Sequence, residues 1–448
     1  MLLVLAMPMV LARMTQSVMT FADALMVEHL GPQAIAASAT GGFNAFLVMI
    51  LPMGCVFIVQ SFVSQLVGRG ELDATRRYAW YGLIIAGVAG GVALALIPLI
   101  DPLLGLAEFS PEVRALMSDY MMIRLFSVAA VVGVEALGNW YGGFGNTWMA
   151  LIASLVSMCC DLFLNWVLIY GNLGAPEMGV NGAALSSSIG SVIGLLFLAV
   201  AFWRRWGTAI NGARPARTKT RLTRRELSRV VRFGLPNGLN WFMDFAAFQL
   251  FVNVVVAALG DHTLAALNVV IAINSVSFMP AFGLASAGAI LAGQAIGRGD
   301  KDAVWPVVKT TLLVAATWMG LIGSLYFVAP EPLLQLFDSK DRSPDFVAVG
   351  VTMLMISAAW QLFDAIGITL SETLRAAGDT TWTATARMIL AWFVFVPSGY
   401  LVVNHADGGP IGAMLCLIGY LALLAAAFIY RFRSNAWRRI ELIEPQLV

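Results

Sequence analysis

The chain of 448 residues has little charge, three histidines and four cysteines, and each shortage excludes a class of function. Charged residues make up 12% of it, about half the share of a soluble domain. The histidines, His29, His262 and His405, belong to no metal-binding motif, and the sequence contains no P-loop. We therefore expect neither an enzyme nor an ATP-driven pump. A net charge of +1 gives no sign of a nucleic-acid partner.

The cysteines have no metal-ligand spacing. Cys55, Cys159, Cys160 and Cys416 all fall inside apolar stretches, where a free cysteine acts as an ordinary small apolar residue. We expect structural thiols and no metal cofactor. A cleavable signal peptide is not expected either, because the first apolar stretch is long and has no small-residue cleavage site.

Long apolar runs make up most of the chain. Hydrophobic residues account for 59% of it, and the mean hydropathy is +0.82. A helix needs about 20 mostly apolar residues to cross the hydrocarbon core. The runs predict an all-α integral membrane protein with twelve transmembrane helices, at residues 2–28, 36–64, 79–100, 114–138, 147–170, 180–203, 233–258, 263–292, 304–328, 346–371, 382–404 and 410–432.

Basic residues are distributed unevenly between the connections of these helices. If the N-terminus is cytoplasmic, the opposite side carries only Arg114, Lys340 and Arg342. The positive-inside rule then places both termini in the cytoplasm. The longest polar connection is basic and could bind anionic lipid, although setting the topology also explains its charge. The predicted organisation is an N-terminal six-helix lobe, this cytoplasmic linker, a C-terminal six-helix lobe and a cytoplasmic tail, at residues 1–205, 206–230, 231–432 and 433–448.

One sequence motif occurs twice. SQLVGRGELDA at residues 64–74 corresponds to GQAIGRGDKDA at residues 293–303, which lie 229 residues later. In both copies a glutamine ends a helix and Gly-Arg-Gly is predicted to make a tight cytoplasmic turn. The glycines do not indicate a nucleotide site, because no strand precedes them. We expect two lobes of the same orientation, related by a pseudo-twofold axis along the membrane normal.

Further motifs follow one another along the chain. They are Pro8, GVNGAALSSSIG at residues 179–190, FGLPNGLNWFMD at residues 233–244 and LFDAIGITLSETLRAAGDT at residues 362–380. Over essentially its whole length the chain resembles the MATE (multidrug and toxic compound extrusion) transporters, and within them the NorM-type branch. The resemblance implies two six-helix lobes around a central cleft. It also implies export of amphipathic, often cationic compounds, driven by entry of Na⁺ or H⁺, with no further cofactor.

We select six ionisable residues inside the predicted helices as functional candidates. A charge at the centre of the bilayer costs about 2.5–3.5 kcal/mol on insertion scales, so such a residue faces a cavity or a partner. The six are Asp23, Arg124, Glu135, Asp161, Asp244 and Asp364.

The N-terminal lobe carries the first candidate cation site. Asp23 lies on a polar face of the first helix, and Asp161 and Asn165 are four residues apart, so they are neighbours on a helix. Oxygen-rich neighbours suit a hard cation such as Na⁺, and a buried carboxylate can instead carry a proton. The resemblance implies a site from Asp23, Asp161, Asn165 and Ser187, although the family usually has Asn before Asp in the fifth helix. Alternatively, Asp23 is only solvated near its helix end.

The C-terminal lobe carries the second candidate cation site, Na⁺ or H⁺ again being possible. In the NorM-type branch an acid in the seventh helix and an Asp in the tenth bind a cation, and the resemblance implies that role for Asp244 and Asp364. The branch usually has a tyrosine four residues before the second acid, whereas this chain has Trp360, which offers no oxygen. The structural alternative is a hydrogen bond between helices, worth about 0.6 kcal/mol on average.

A drug cavity is expected to be apolar and partly aromatic, because aromatic faces attract organic cations and methionine adapts to ligands of different shapes. Glu135 falls opposite Asp364 in the repeat. Arg124, three turns from Glu135, is interpreted as structural, and each of the two could pair with another helix. The residues assigned to the cavity are Trp360, Trp241, Asn240 and Glu135.

Together with these features, the resemblance to the MATE transporters implies a monomeric multidrug efflux transporter of the bacterial inner membrane. It would exchange drugs and organic cations for Na⁺ or H⁺ by alternating access. A major-facilitator-type transporter is one alternative, because GRGELDATRR at residues 68–77 matches part of that fold's loop motif. The second copy at residues 293–303 favours the MATE interpretation. A lipid flippase on a related fold is the other alternative.

Overall fold

The protein is described by a computed structural model that covers residues 2–105, 109–209, 215, 221–335 and 344–443. Within these residues the chain is almost entirely helical and contains no strand. In the described part of the chain eleven helices are long and apolar enough to cross a membrane, and a pair bent by 45° makes a twelfth span when its two helices are counted as one. The predicted all-α membrane fold is therefore confirmed. Spans 1 to 12 are, in order, Leu2–Glu28, Pro32–Arg69, Leu72–Leu104, Pro111–Phe126 with Val128–Phe144, Trp148–Leu168, Gly179–Arg204, Arg224–Leu259, His262–Gly297, Val304–Val328, Phe346–Ala377, Thr380–Asn404 and Gly409–Arg433.

Several spans consist of more than one helical segment. Span 2 comprises Pro32–Phe57 and Val59–Arg69, and span 3 continues from Leu72–Leu96 into the short helix Ile100–Leu104. Spans 7 and 11 each contain a π-helical segment, a feature that is frequent at functional sites. These two segments are Phe251–Val256 and Leu390–Phe395. Short helices outside the spans, among the described residues, are Asn172–Gly174, Pro330–Gln335 and Ala436–Arg439.

Span 7 begins earlier than hydropathy predicts. Its helix starts at Arg224 rather than at residue 233, so residues 224–230, which were predicted as linker, are helical. Hydropathy finds the apolar part of a helix, whereas arginine is a good helix former outside the membrane as well. Tyr81 stabilises this extension, because its hydroxyl donates to Glu226 Oε2 at 2.6 Å. Residues 210–214 and 216–220 of the predicted linker and residues 444–448 of the predicted tail lie outside the described residues. Lys340 and Arg342 also lie outside them.

Two pairs of helix-ending turns recur at corresponding places in the two halves of the chain. Gly70 and Gly299, in the two copies of the repeated motif, have φ of 80° and 81°. Gly145 and Gly378 form a second matching pair, with φ of 83° and 89°. In each turn the glycine N–H and the following N–H donate to carbonyls of the last helical turn, which is the Schellman arrangement. The predicted tight turn at both Gly-Arg-Gly segments is thus observed.

The chain forms two compact units. The N-terminal unit is Leu11–Gly238, and the C-terminal unit is Met1–Val10 together with Leu239–Val448. Each has its own apolar core, which includes Met49 and Leu125 in the first and Phe251 and Phe428 in the second. The unit boundaries fall inside spans 1 and 7 and not at the linker, so the units differ from the predicted lobes at these two helices. The grouping into six plus six helices stays a prediction.

The first half of span 7 packs very closely on span 2 within the N-terminal unit. A Cβ atom added to Gly54 would lie 2.8 Å from Gly238 Cα, and Asn237 Nδ2 donates to the Gly54 carbonyl at 2.7 Å. Gly234 and Gly238 form a Gly-x-x-x-Gly pair, a pattern that lets membrane helices approach at their backbones. This part of the FGLPNG motif is therefore a packing surface.

Candidate functional site

In the N-terminal unit the structure brings together three of the predicted cation-site residues. Asn165 Nδ2 donates to Asp23 Oδ1 at 2.6 Å and to Asp161 Oδ2 at 3.3 Å. The two carboxylates lie within electrostatic range of each other. The helical spacing of Asp161 and Asn165 places them on one face of span 5, and Asp23 reaches them from span 1. We call Asp23, Asp161 and Asn165 the N-terminal cluster.

The N-terminal cluster contains oxygens without donors. Asp161 and Asn165 are both 0% exposed, and Oδ1 of each is buried with no hydrogen-bond partner among the described residues. Ser187, which is 7% exposed, lies within interaction range of Asp161. Buried acceptors without a partner require an explanation, and two adjacent carboxylates repel unless a proton or another cation lies between them. The oxygens therefore fit either Na⁺ or H⁺.

Arg124 is a further neighbour of this cluster. From span 4 its charge acts on both Asp23 and Asp161. Its Nη1 is buried and has no hydrogen-bond partner in the described part of the chain. Sequence reasoning assigned Arg124 a structural role, and the structure adds that it supplies one positive charge beside two carboxylates.

In the C-terminal unit the two predicted acids lie beside an arginine. Arg387 Nη1, from span 11, is 2.9 Å from Asp244 Oδ2, and the Tyr420 hydroxyl donates to Asp244 Oδ1 at 2.6 Å. Asp364, from span 10, is within electrostatic range of both Asp244 and Arg387. We call Asp244, Asp364, Arg387 and Tyr420 the C-terminal cluster. The two acids act on each other electrostatically, and a positive charge accompanies them. Their role as a cation site stays a prediction.

Sequence reasoning missed two arginines. Arg387 lies in the predicted helix 382–404, and Arg13 lies in the predicted helix 2–28, where Nη1 of Arg13 is 3.3 Å from Glu135 Oε1. Glu135 thus pairs with another helix and also accepts from Asn139 Nδ2 at 3.3 Å. The cost of a charge in the membrane applies to arginine as it does to aspartate, so the same rule could have found both residues.

The predicted cavity residues lie in different surroundings. Trp360 is 7% exposed and belongs to the apolar core of the C-terminal unit. Its predicted place in a cavity is untested, and this burial does not support it. Asn240 is 8% exposed, and its Oδ1 has no partner among the described residues. Trp241 meets Phe282 edge to face, with ring centres 6.3 Å apart. The roles of Asn240, Trp241 and Glu135 as drug contacts stay predictions.

Solved structures show the class of fold. The chain matches the outward-facing conformation of a multidrug resistance MATE family transporter of the MOP superfamily with a TM-score of 0.87 and 19% identity, covering 98% of this chain and 96% of that one. It matches the eukaryotic MATE transporter AtDTX14 with a TM-score of 0.86 and 16% identity, covering 98% and 96%. This protein therefore has the fold of MATE transporters.

Sequence comparison gives the family. The MatE family model matches residues 8–167 and 243–401, so the chain belongs to this family of membrane transporters. It is 24% identical over 454 residues to the probable multidrug resistance protein NorM of Thermotoga maritima, covering 100% of this chain and 95% of that protein. It is 26% identical over 410 residues to the multidrug resistance protein PmpM of Pseudomonas aeruginosa, covering 89% and 83%.

Proposed function

We propose that the protein is a multidrug efflux transporter that exports amphipathic and cationic compounds by antiport with Na⁺ or H⁺ through alternating access. Its relatives of nearly the same length are named as multidrug resistance proteins. The MatE match argues against the major-facilitator alternative. Bacterial relatives and the basic connections favour a bacterial inner membrane with both termini cytoplasmic. The protein works as a monomer, with membrane lipid as its surroundings.

The observation that carries this proposal is the set of buried oxygens in the N-terminal cluster. Asp161 Oδ1 and Asn165 Oδ1 lack donors among the described residues, next to the Asp23 carboxylate. A Na⁺ ion or a proton entering from outside would find acceptors on both span 1 and span 5. Because Asn165 donates to Asp23 at 2.6 Å, an arriving cation competes with the hydrogen bond that links these spans. Cation uptake would thereby change the packing of span 1, and inward release of the cation would reset it.

The test is ethidium efflux from proteoliposomes, first under a Na⁺ gradient and then under a pH gradient. At least one gradient should drive efflux by the wild type. Asp161→Asn should lower the driven rate roughly tenfold or more, because the variant loses the carboxylate that binds the cation; tenfold corresponds to about 1.4 kcal/mol. Asp302→Asn is the matched control, since the Asp302 side chain is 88% exposed and only pairs with Arg438.

Three outcomes would contradict the proposal. The first is that neither gradient drives efflux by the wild type. The second is that Asp161→Asn exports ethidium at the wild-type rate. The third outcome is translocation of a fluorescent lipid without ethidium efflux in the same vesicles, which would favour the flippase alternative.

A further inference from the structure

Arg387 is fixed in the C-terminal cluster by several contacts. Besides its 2.9 Å pair with Asp244, its guanidinium carbon lies 5.7 Å from the centre of the Phe428 ring. Its side chain is 18% exposed. Trp392 of the same span donates to the Met243 carbonyl at 3.1 Å, next to Asp244. These contacts make the arginine a fixed part of the site.

The groups around this arginine leave Asp244 little capacity for another ligand. Both Asp244 oxygens are engaged, one by Arg387 and one by the Tyr420 hydroxyl. The charged and titratable groups that act on Arg387 come from three spans: Asp244 of span 7, Asp364 of span 10 and Tyr420 of span 12. Arg387 Nε is buried and has no acceptor among the described residues, so one N–H donor of the guanidinium is unused there.

A sodium ion does not fit this arrangement. A hard cation binds through several oxygen ligands, and at Asp244 it would have to displace either Arg387 or the tyrosine. The guanidinium also repels a second cation placed beside the same carboxylates. Trp360, four residues before Asp364, supplies no oxygen and lies in the apolar core.

We propose that Arg387 determines the ion specificity of the C-terminal cluster: it acts as the permanent cation of Asp244 and Asp364 and excludes Na⁺ from them. This inference rests on the proposed antiport function, because it concerns where the coupling ion binds. It assigns any Na⁺ bound by the protein to the N-terminal cluster, whose oxygens lack donors among the described residues.

The test is binding of radioactive Na⁺ to the purified full-length protein, measured by scintillation proximity. Asp364→Asn should leave the Na⁺ binding of the wild type unchanged. Arg387→Gln should gain Na⁺ binding, with affinity at the C-terminal cluster rising roughly tenfold or more because the repelling charge is gone. The added binding should disappear in Arg387→Gln/Asp364→Asn. Arg387→Lys, which keeps the charge, should gain nothing.

The matched control is Arg431→Gln. Arg431 also pairs with an aspartate of the C-terminal unit, at 2.6 Å from Asp379, but it acts outside the C-terminal cluster. This variant should bind Na⁺ like the wild type.

Loss of wild-type Na⁺ binding in Asp364→Asn would overturn the inference, and so would a monodisperse Arg387→Gln that binds no additional Na⁺. If Arg387→Gln does not fold, Arg387→Met, which also removes the charge, replaces it, because a wild type coupled to H⁺ alone would bind no Na⁺ to compare with Asp364→Asn. Ethidium efflux measured on the same preparations separates the two proposals. Efflux that neither gradient drives contradicts antiport, whereas driven efflux with Na⁺ bound at Asp364 contradicts only the role of Arg387.

Discussion

The N-terminal cluster with its neighbour Arg124 and the C-terminal cluster carry the same charges in different arrangements. Two carboxylates and one arginine lie together in each unit. In the C-terminal cluster the arginine forms a direct ion pair at 2.9 Å, and a tyrosine satisfies the other oxygen of the same carboxylate. In the N-terminal cluster Arg124 acts on the carboxylates only electrostatically, and buried oxygens there have no donors among the described residues.

The difference shows that the charge balance alone does not identify an ion site. A carboxylate whose oxygens already accept strong hydrogen bonds gains little from another cation, because each charge-assisted bond already compensates part of its desolvation. A carboxylate that faces another carboxylate still needs a cation. We therefore expect the N-terminal cluster to couple efflux to the ion, and the C-terminal cluster to act on efflux without binding Na⁺.

The largest expected effect, and the most direct test of this difference between the clusters, comes from neutralising one acid in each unit. Asp23→Asn should lower gradient-driven ethidium efflux roughly tenfold or more, because it removes a carboxylate of the coupling site. Asp364→Asn should lower it only a few-fold and leave the choice between Na⁺ and H⁺ unchanged. Equal losses in the two variants, or wild-type efflux by Asp364→Asn, would contradict the assignment. Initial rates at several ethidium concentrations separate binding from turnover.

A second, smaller effect concerns Glu135 and Asp364, which occupy matching positions in the repeat. Glu135 has an arginine of its own at 3.3 Å, and the two side chains are 14% and 22% exposed. We expect Arg13→Gln and Glu135→Gln each to lower thermal stability, and the double variant to show a coupling energy of about 0.5–1 kcal/mol. Thermal unfolding in detergent provides the measurement. A coupling energy near zero would mean that Glu135 does not depend on Arg13.

A third effect, comparable in size to the second, tests the part of the scaffold that the two halves share. Gly70 and Gly299 have nearly the same positive φ, and a Cβ at either position would meet no atom within 4 Å. Alanine should therefore cost only the backbone strain, about 1 kcal/mol, and the same amount at both positions. The melting temperatures of Gly70→Ala and Gly299→Ala should fall equally. Unequal shifts would show that the two turns contribute differently to stability.

The sequence predicts what depends on local patterns. Apolar runs located the spans because every membrane helix needs such a run, and the four-residue spacing of Asp161 and Asn165 placed both on one helix face. Pairs between helices were not predictable in this way. Asp23 and Asn165 are 142 residues apart, and Arg387 and Asp244 are 143 apart, so only the packed structure selects these partners. The same limit applies to Trp360, because its position on a helix does not determine whether the side chain faces a core or a cavity.

Spans 1 and 7 each contain a boundary between the two compact units, which affects how the gene can be divided into separately expressed halves. The first ten residues belong to the unit built from the second half of the chain, and residues 224–238 belong to the unit built from the first half. A gene divided within the linker would therefore yield two fragments that each lack a piece of their own fold and carry a piece of the other's. Each fragment should therefore need the other to fold. In this protein the boundaries of the sequence repeat differ from the boundaries of the compact units.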